Sequence, residues 1–418
     1  MSWQDLVDGN TELAAAGAVR INGRISYLAT VDKNGRSRVH PVTPIVGEGR
    51  LLLFMEPTSP KGFDIRRNGR YALHCGVENN EGGEGEFFVR GQGRLLTDPD
   101  SREQAVRLAS YKPHDRYILF ELGVDEATFT QYGNNGPQRQ RWQAPGVRSL
   151  LGHLLPPLPV SDVAQANLAQ AQANFAADPT LDNTIWLGRR LAYAGQLAEA
   201  IQVYSDGIKR FPQAHQLYRH RGHRYISTRQ LPQAVADFER VAVLATGLPV
   251  EIEPDGIPNR LNQPTSNGHF NIWYHLGLAY YLTGQLERAT DAYRVCMTYS
   301  DNPDSICATS DWLYMTLREL GQHDAAAALL EPIHGEMELV ESQSYHRRLL
   351  MYKGVLSPEE LLDTEGADEI DVATQGYGVG NYYRYTGELE KANAVFQRVL
   401  QTANWSAFGY IAAEVALR

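Results

Sequence analysis

A chain of 418 residues is too long for one ordinary core, so two domains or a repeat array are expected. With 43% hydrophobic and 21% charged residues it has the composition of a soluble globular protein, which excludes a long disordered tail. The net charge of −10 is unevenly placed: residues 1–145 hold 18 Lys and Arg against 18 Asp and Glu, the remainder 21 against 31. An acidic majority excludes nucleic acid as the main ligand, because phosphate backbones need a basic surface.

The opening MSWQDLVDGN has neither the basic start nor the apolar run of a signal peptide. No run of about 18 apolar residues is present to span a membrane, so a cytoplasmic protein without membrane association is expected. Residues 25–31, 38–45, 51–55, 71–77 and 86–96 are short β-branched or aromatic runs, read as strands. Asp32-Lys33-Asn34-Gly35 and Gly47-Glu48-Gly49 supply hairpin turns. Residues 60–68 and 100–110 read as helices between strands. Five or more short strands with such turns imply a small antiparallel barrel.

Several pieces of this region come in a known order. They are Leu28-Ala29-Thr30-Val31, Asn34-Gly35, Arg38-Val39-His40-Pro41-Val42, Ser59-Pro60-Lys61 at a helix start, residues 86–91, and Arg139-Gln140-Arg141-Trp142. Over about residues 10–143 the chain thereby resembles the pyridoxamine 5′-phosphate oxidase-like split barrel. The resemblance implies FMN bound across a homodimer interface. Arg38, Val39, His40 and Pro41 would run along the flavin, with Ser59 and Lys61 on its phosphate and Glu86, Arg141 and Trp142 completing the site. A helix N-terminus with Ser59 and Lys61 suits a phosphate by dipole and charge.

The sequence also departs from that pattern. Pro60 stands where the family often has arginine, and Glu86 near where it has glutamine. The basic-aromatic motif that grips the vitamin substrate is absent, so oxidation of pyridoxamine phosphate is not expected. Deazaflavin, haem or no ligand are the alternatives to FMN. Read without the resemblance, Arg38 pairs with a carboxylate across a strand and Lys61 is solvated. No nucleophile–base pair, carboxylate pair or metal cluster emerges, and flavin chemistry needs none, since the cofactor carries the electrons.

Residues 146–163, with Pro145-Gly146, leucines at 150–155 and prolines at 156–159, read as a semi-rigid linker or docking strap. Residues 164–177 form an alanine-rich helix placed to cap the first repeat. From there the chain repeats itself. Ala200, Ala234, Ala289, Ala325 and Ala392 each come after a turn such as Gly195-Gln196-Leu197 or Gly284-Gln285-Leu286, with a degenerate copy anchored at Glu359. Gly188, Gly222, Gly277 and Gly380 stand twelve residues before an anchor; Tyr204, Phe238, Tyr293 and Phe396 stand four after. In a helical hairpin the aromatic fills the space left by the glycine, and neighbouring hairpins must stack to bury their apolar faces. Cys75, Cys296 and Cys307 lack metal-type or redox-type spacing and read as small buried residues.

Residues 180–418 resemble tetratricopeptide repeats, and Trp273-x-x-Leu276-Gly277-x-x-Tyr280 with Ala289 and Tyr293 is the best copy. The resemblance implies that first helices line a groove for a protein or peptide partner, through Arg189, Tyr193, Arg219, His223, Asn271, Tyr274, Tyr281, Asn381, Arg384 and Tyr385. Residues 217–224 are locally basic; His220 and His223 there read as solvated or hydrogen-bonded histidines, with an anion site beside the arginines as the sharper reading and no metal expected. A turn-rich loop at about 245–268 interrupts the array.

The expected architecture is an antiparallel β split barrel with flanking helices (1–145), a linker (146–163) and an all-α helical-hairpin repeat solenoid (164–418). The expected function is that of a flavin-dependent oxidoreductase or flavin-binding protein recruited by its repeats; the alternative is a non-enzymatic scaffold whose barrel dimerises.

Overall fold

A computed structural model describes the chain apart from residues 78–82, 134–135, 255–258, 260 and 364–368. It divides into two compact units, Met1–Gly146 and Val147–Arg418. The middle of the expected loop at 245–268 therefore lies outside the described residues.

The first unit opens with α1 (Trp3–Gly9) and α2 (Thr11–Ile21). Ser2 and Asp5 form a capping box on α1, and the Asn10 side chain caps α2 by accepting from the Leu13 N–H. Next come β1 (Ser26–Val31), β2 (Ser37–Val42), β3 (Ile45–Gly47), β4 (Arg50–Met55), α3 (Pro60–Asn68) and β5 (Arg70–Cys75). β6 (Glu86–Leu96), α4 (Pro99–Leu108), β7 (Ile118–Leu122), β8 (Glu126–Gly133) and β9 (Gly136–Gln143) complete it. The strands form one nine-stranded sheet in the order β2-β1-β5-β6-β7-β4-β3, with β8 joined to β6 and β9.

β6 makes the sheet curl into a half-barrel. Its first residues, 86–90, pair with β8, whereas 93–96 pair with β7. The changeover falls at Gly91, where any Cβ would collide with the Gly123 carbonyl. Glycine is needed there for close backbone approach. Leu13, Leu28, Leu51, Leu73, Phe87, Val89 and Phe120 fill the curl and are almost fully buried. At the β3–β4 turn Glu48 and Gly49 both have positive φ, +49° and +73°, as a two-residue hairpin turn requires.

The single strand expected over 38–45 is two strands. Pro44 lacks an N–H, and the chain crosses there from the β1 side of the sheet to the β4 side. Helices α1 and α2, and strands β7, β8 and β9, were not anticipated.

The second unit is helical: α5 (Asp162–Ala177), α6 (Leu181–Tyr193), α7 (Leu197–Arg210), α8 (His215–Ser227), α9 (Leu231–Leu244), α10 (Gly268–Leu282) and α11 (Leu286–Met297). It continues with α12 (Pro303–Glu319), α13 (His323–Ala328), α14 (Gln343–Tyr352), α15 (Pro358–Leu362), α16 (Glu369–Tyr385), α17 (Leu389–Val399) and α18 (Phe408–Ala416). The glycine–aromatic register is the packing rule of the hairpins. A Cβ on Gly222 would lie 2.8 Å from the Phe238 ring and one on Gly277 2.6 Å from Tyr293; Gly188 and Gly380 meet Tyr204 and Phe396 in the same way. Ala200, Ala234, Ala289 and Ala392 are fully buried beside them.

The fourth hairpin corrects the register. Ala325 is exposed and Ala326 is fully buried, so the anchor is Ala326, five residues after Gly321 as in the other copies. The glycine site is then Tyr314, not Leu313, and its ring stacks on Tyr352 at 4.4 Å. Glu359, the degenerate anchor, is exposed on the short α15; Leu361 is buried instead. Within this unit Leu154 and Leu155 are buried, and the Trp405 indole donates to the Pro156 carbonyl at 2.6 Å. The three cysteines are buried and free.

Candidate functional site

In the first unit, strand alternation sends Val39 and Pro41 of β2 outward to solvent, leaving Arg38 and His40 half-covered on the other face. There they meet α3. Arg38 Nη2 lies 3.3 Å from Asp32 and its Nε 3.4 Å from Asp64. Asp64 is 3% exposed and also accepts from Thr30 Oγ1 at 2.9 Å and Arg67 Nη1 at 3.1 Å. Arg38 is thus engaged by carboxylates, but from the β1–β2 turn and from α3 rather than across a strand.

His40 and Lys61 are differently placed. Burial, with the charges of Lys61 and Arg38, holds the His40 imidazole below its ordinary pKa, so it is neutral at pH 7. Its Nε2 is buried without a hydrogen-bond partner among the described residues. Burial likewise lowers the Lys61 ammonium, and no ion pair reaches it from any described residue. Ser59 is the N-cap of α3, yet its hydroxyl makes no capping bond.

The chain brings Arg38, His40, Ser59 and Lys61 to one place. It does not bring Glu86, Arg141 and Trp142 there, because the sheet order puts β1 and β5 between β2 and β6, with β8 and β9 beyond. Glu86 accepts from the Tyr132 hydroxyl at 3.0 Å. Arg141 lies 3.8 Å from Glu126, and Trp142 is buried where its ring would meet any Cβ on Gly9.

In the second unit the ten groove residues separate into two sets. Tyr274 donates to Tyr345, Tyr281 pairs with the Tyr377 hydroxyl, Asn381 is fully buried against Met315, and Tyr385 reaches the Met315 carbonyl. Arg384 pairs with Glu319 at 3.3 Å. These five are committed to the chain's own packing. The Phe408 ring of α18 also lies against His223, Tyr274 and His275, so the last helix occupies part of the face that first helices present.

Arg189, Tyr193, Arg219, His223 and Asn271 instead line a cavity of about 230 Å³, together with Tyr204, His220, Arg224, Glu253 and Pro254. Arg224 was read only as part of a basic run with an anion site beside its arginines, not as a groove residue, and Glu253 was missed from sequence. The basic run 217–224 was a signal for the first, but nothing local marks the second.

Residues 16–131 match the family model described as pyridoxamine 5′-phosphate oxidase, and residues 270–303 match a tetratricopeptide repeat. The comparison with curated proteins gave no match. Among solved structures, a heme binding protein from Mycobacterium smegmatis is 15% identical over 31% of this chain and 57% of its own, with a TM-score of 0.26. This chain therefore spans little more than half of that protein. PhzG from Burkholderia lata 383, in complex with tetrahydrophenazine-1-carboxylic acid, is 16% identical over 33% of this chain and 92% of its own, TM-score 0.22. General Stress Protein 26 from Bacillus anthracis is 17% identical over 31% and 97%, TM-score 0.24.

The first unit is a pyridoxamine 5′-phosphate oxidase-like split barrel, by family match and sheet topology. The second is a helical region built on tetratricopeptide repeats. No helix among the described residues is long and apolar enough to cross a membrane.

Proposed function

We propose that this is a cytoplasmic, homodimeric flavin-binding protein of the oxidoreductase type, holding FMN in its split barrel and meeting a protein partner through its repeats. The observation that carries the reading is the uncommitted Lys61 on the first turn of α3, beside a neutral His40 whose Nε2 is unmet. A lysine and a helix N-terminus suit a phosphate, and the His40 Nε2 is free to hydrogen-bond a polar group beside it. FMN, when bound, supplies the electron transfer; the chain's part is to hold and orient it. Two copies of the barrel would bring Glu86 and Arg141 of one copy toward the cluster of the other, and the exposed Tyr27 and Val39 offer apolar surface for that contact.

A second reading, a non-enzymatic scaffold with a dimerising barrel, is favoured by Asp64, which engages Arg38 and adds a carboxylate beside the phosphate position. The visible spectrum of the purified protein separates the two. Flavin bands that weaken in Lys61→Ala support the first, and a Soret band would assign haem instead. A colourless protein that FMN cannot reconstitute supports the scaffold.

A further inference from the structure

Among the described residues, the arginines of the repeat cavity outnumber its carboxylates. Arg189, Arg219 and Arg224 line it with one carboxylate, Glu253, which lies 3.1 Å from Arg219. The Arg224 guanidinium has no hydrogen bond or ion pair with any described residue. Arg189 is 8% exposed; its Nη2 reaches the Pro254 carbonyl at 2.8 Å, while its Nε is buried without a partner. Burial and the neighbouring arginines keep His220 and His223 neutral, so neither adds charge nor offsets it. Desolvating such an excess is unfavourable unless something negative is held there.

A roof closes over these groups from the inserted loop. Glu253 N–H donates to the Ser266 carbonyl at 3.1 Å, Gly268 N–H to the Glu251 carbonyl at 2.9 Å, and Asn271 holds the Glu253 carboxylate at 3.0 Å. An adjoining cavity of about 410 Å³ shares Arg189, Arg219 and Glu253; Ile185, Trp186, Leu248, Pro249, Ile252 and Ile272 form its apolar wall, and Asp182 and Glu251 add carboxylates at its lining. Leu248 and Ile252 expose much of their side chains there, 43% and 70%.

We propose that this pocket binds a small phosphomonoester: its phosphate among Arg189, Arg219 and Arg224, its apolar or aromatic body in the cavity beside Trp186. A dianion matches the excess of two positive charges on the described residues of the smaller cavity, and guanidinium forks pair with its oxygens two at a time. The roof crosses the first-helix face at Arg189 and Arg219, which leaves a pocket of small-molecule size rather than a channel for an extended peptide.

Every residue of the site belongs to the second unit, and calorimetry on the full chain in a Lys61→Ala background separates it from phosphate binding at the barrel. Phenyl phosphate is expected to bind once per chain, at least tenfold more tightly than inorganic phosphate, and to weaken at least tenfold in Arg224→Met. Arg224→Met removes a charge that no described residue pairs, so its thermal midpoint should not fall. Trp186→Leu tests the apolar arm separately by weakening phenyl phosphate while leaving inorganic phosphate unchanged. Absence of saturable phenyl phosphate binding overturns the proposal, as does binding that Arg224→Met leaves intact. A glutamate-rich decapeptide that binds where phenyl phosphate neither binds nor competes overturns it in favour of a peptide site.

Discussion

Arg229 and Glu414 form a doubly bonded ion pair across 185 residues, Nη2 to Oε1 at 2.9 Å and Nε to Oε2 at 3.0 Å, with side chains 4% and 0% exposed. Arg229 also donates to the Trp405 carbonyl at 2.8 Å and lies over the Trp405 and Tyr410 rings. Its φ is +63°, in the left-handed region. Every comparable turn with a regular second helix uses glycine there: Gly195, Gly284, Gly321 and Gly387. The second hairpin accepts backbone strain of about 1 kcal/mol for a side chain that glycine lacks. That side chain joins α8 to α18 and closes the array on itself.

Replacing Arg229 therefore sets two effects against each other. Arg229→Gly relieves the backbone but strands Glu414 as a buried unpaired carboxylate, at a cost of about 3–5 kcal/mol. Destabilisation wins. The expected outcome is a lower urea midpoint and faster amide exchange in residues 405–416; a midpoint equal to wild type would show that the pair does not hold α18.

Gly277→Ala tests the packing rule of the hairpins. Alanine favours a helix by about 1 kcal/mol over glycine. The added Cβ, however, meets the Tyr293 ring at 2.6 Å, and overpacking costs about 1–3 kcal/mol. A net loss of stability is expected, with recovery in Gly277→Ala/Tyr293→Leu. Denaturation midpoints for the four members of that cycle decide it, and additivity would contradict the contact.

Arg348 and Asp311 are wholly buried 3.0 Å apart, and the Arg348 guanidinium lies 5.8 Å from the Trp312 and Tyr377 ring centroids. Burial raises the Asp311 carboxyl above its usual range, against the pull of Arg348. Arg348→Met alone leaves that carboxyl unpaired and is expected to cost about 3–5 kcal/mol, whereas Arg348→Met/Asp311→Leu should regain most of it. Thermal melts of the single and double variants read the difference.

Acid should weaken the repeat unit well before its exposed carboxylates are protonated. His220 and His275 are buried and His223 half-buried, and desolvation with the nearby arginines depresses all three, His275 to about 3. Their folded pKa values lie below the unfolded value near 6.5, so the unfolded chain binds more protons as pH falls. Stability is complete above about pH 6.5 and is lost below it, by about 1.4 kcal/mol per pH unit for each histidine. The raised Asp311 and Asp237 work in the opposite sense, two groups against these three histidines and the likewise depressed His215. The urea midpoint is expected to drop between pH 7 and pH 5, and His275→Phe should shrink the drop; a flat profile contradicts the burial of neutral histidines.

Much of the hairpin architecture was readable because its determinants recur within each repeat. Gly277 and Tyr293 are sixteen residues apart, as are Gly222 and Phe238, and each pair meets by the geometry of two helices and a turn. The register failed at Ala325 because Tyr314 and Leu330 take the glycine and aromatic sites, which erases the pattern used for alignment. In the barrel, Ser59 and Lys61 could be placed from the start of one helix. Asp64, three residues along the same helix, could have been flagged as an anion's rival but was not. The turn at Arg229 showed in sequence only as a missing glycine.

By itself, then, the sequence determined the two architectures, the stacking rule of the hairpins and the residue classes of the barrel cluster, since these rest on periodicity, turns and neighbours along one element. Only the tertiary structure decided that five of the ten groove residues are spent on internal packing, that α18 closes the array through Arg229 and Glu414, and that Arg189, Arg219 and Arg224 converge beneath an inserted roof. Those outcomes depend on contacts between segments tens to hundreds of residues apart, whose charges and cavities exist only once the chain has brought them together.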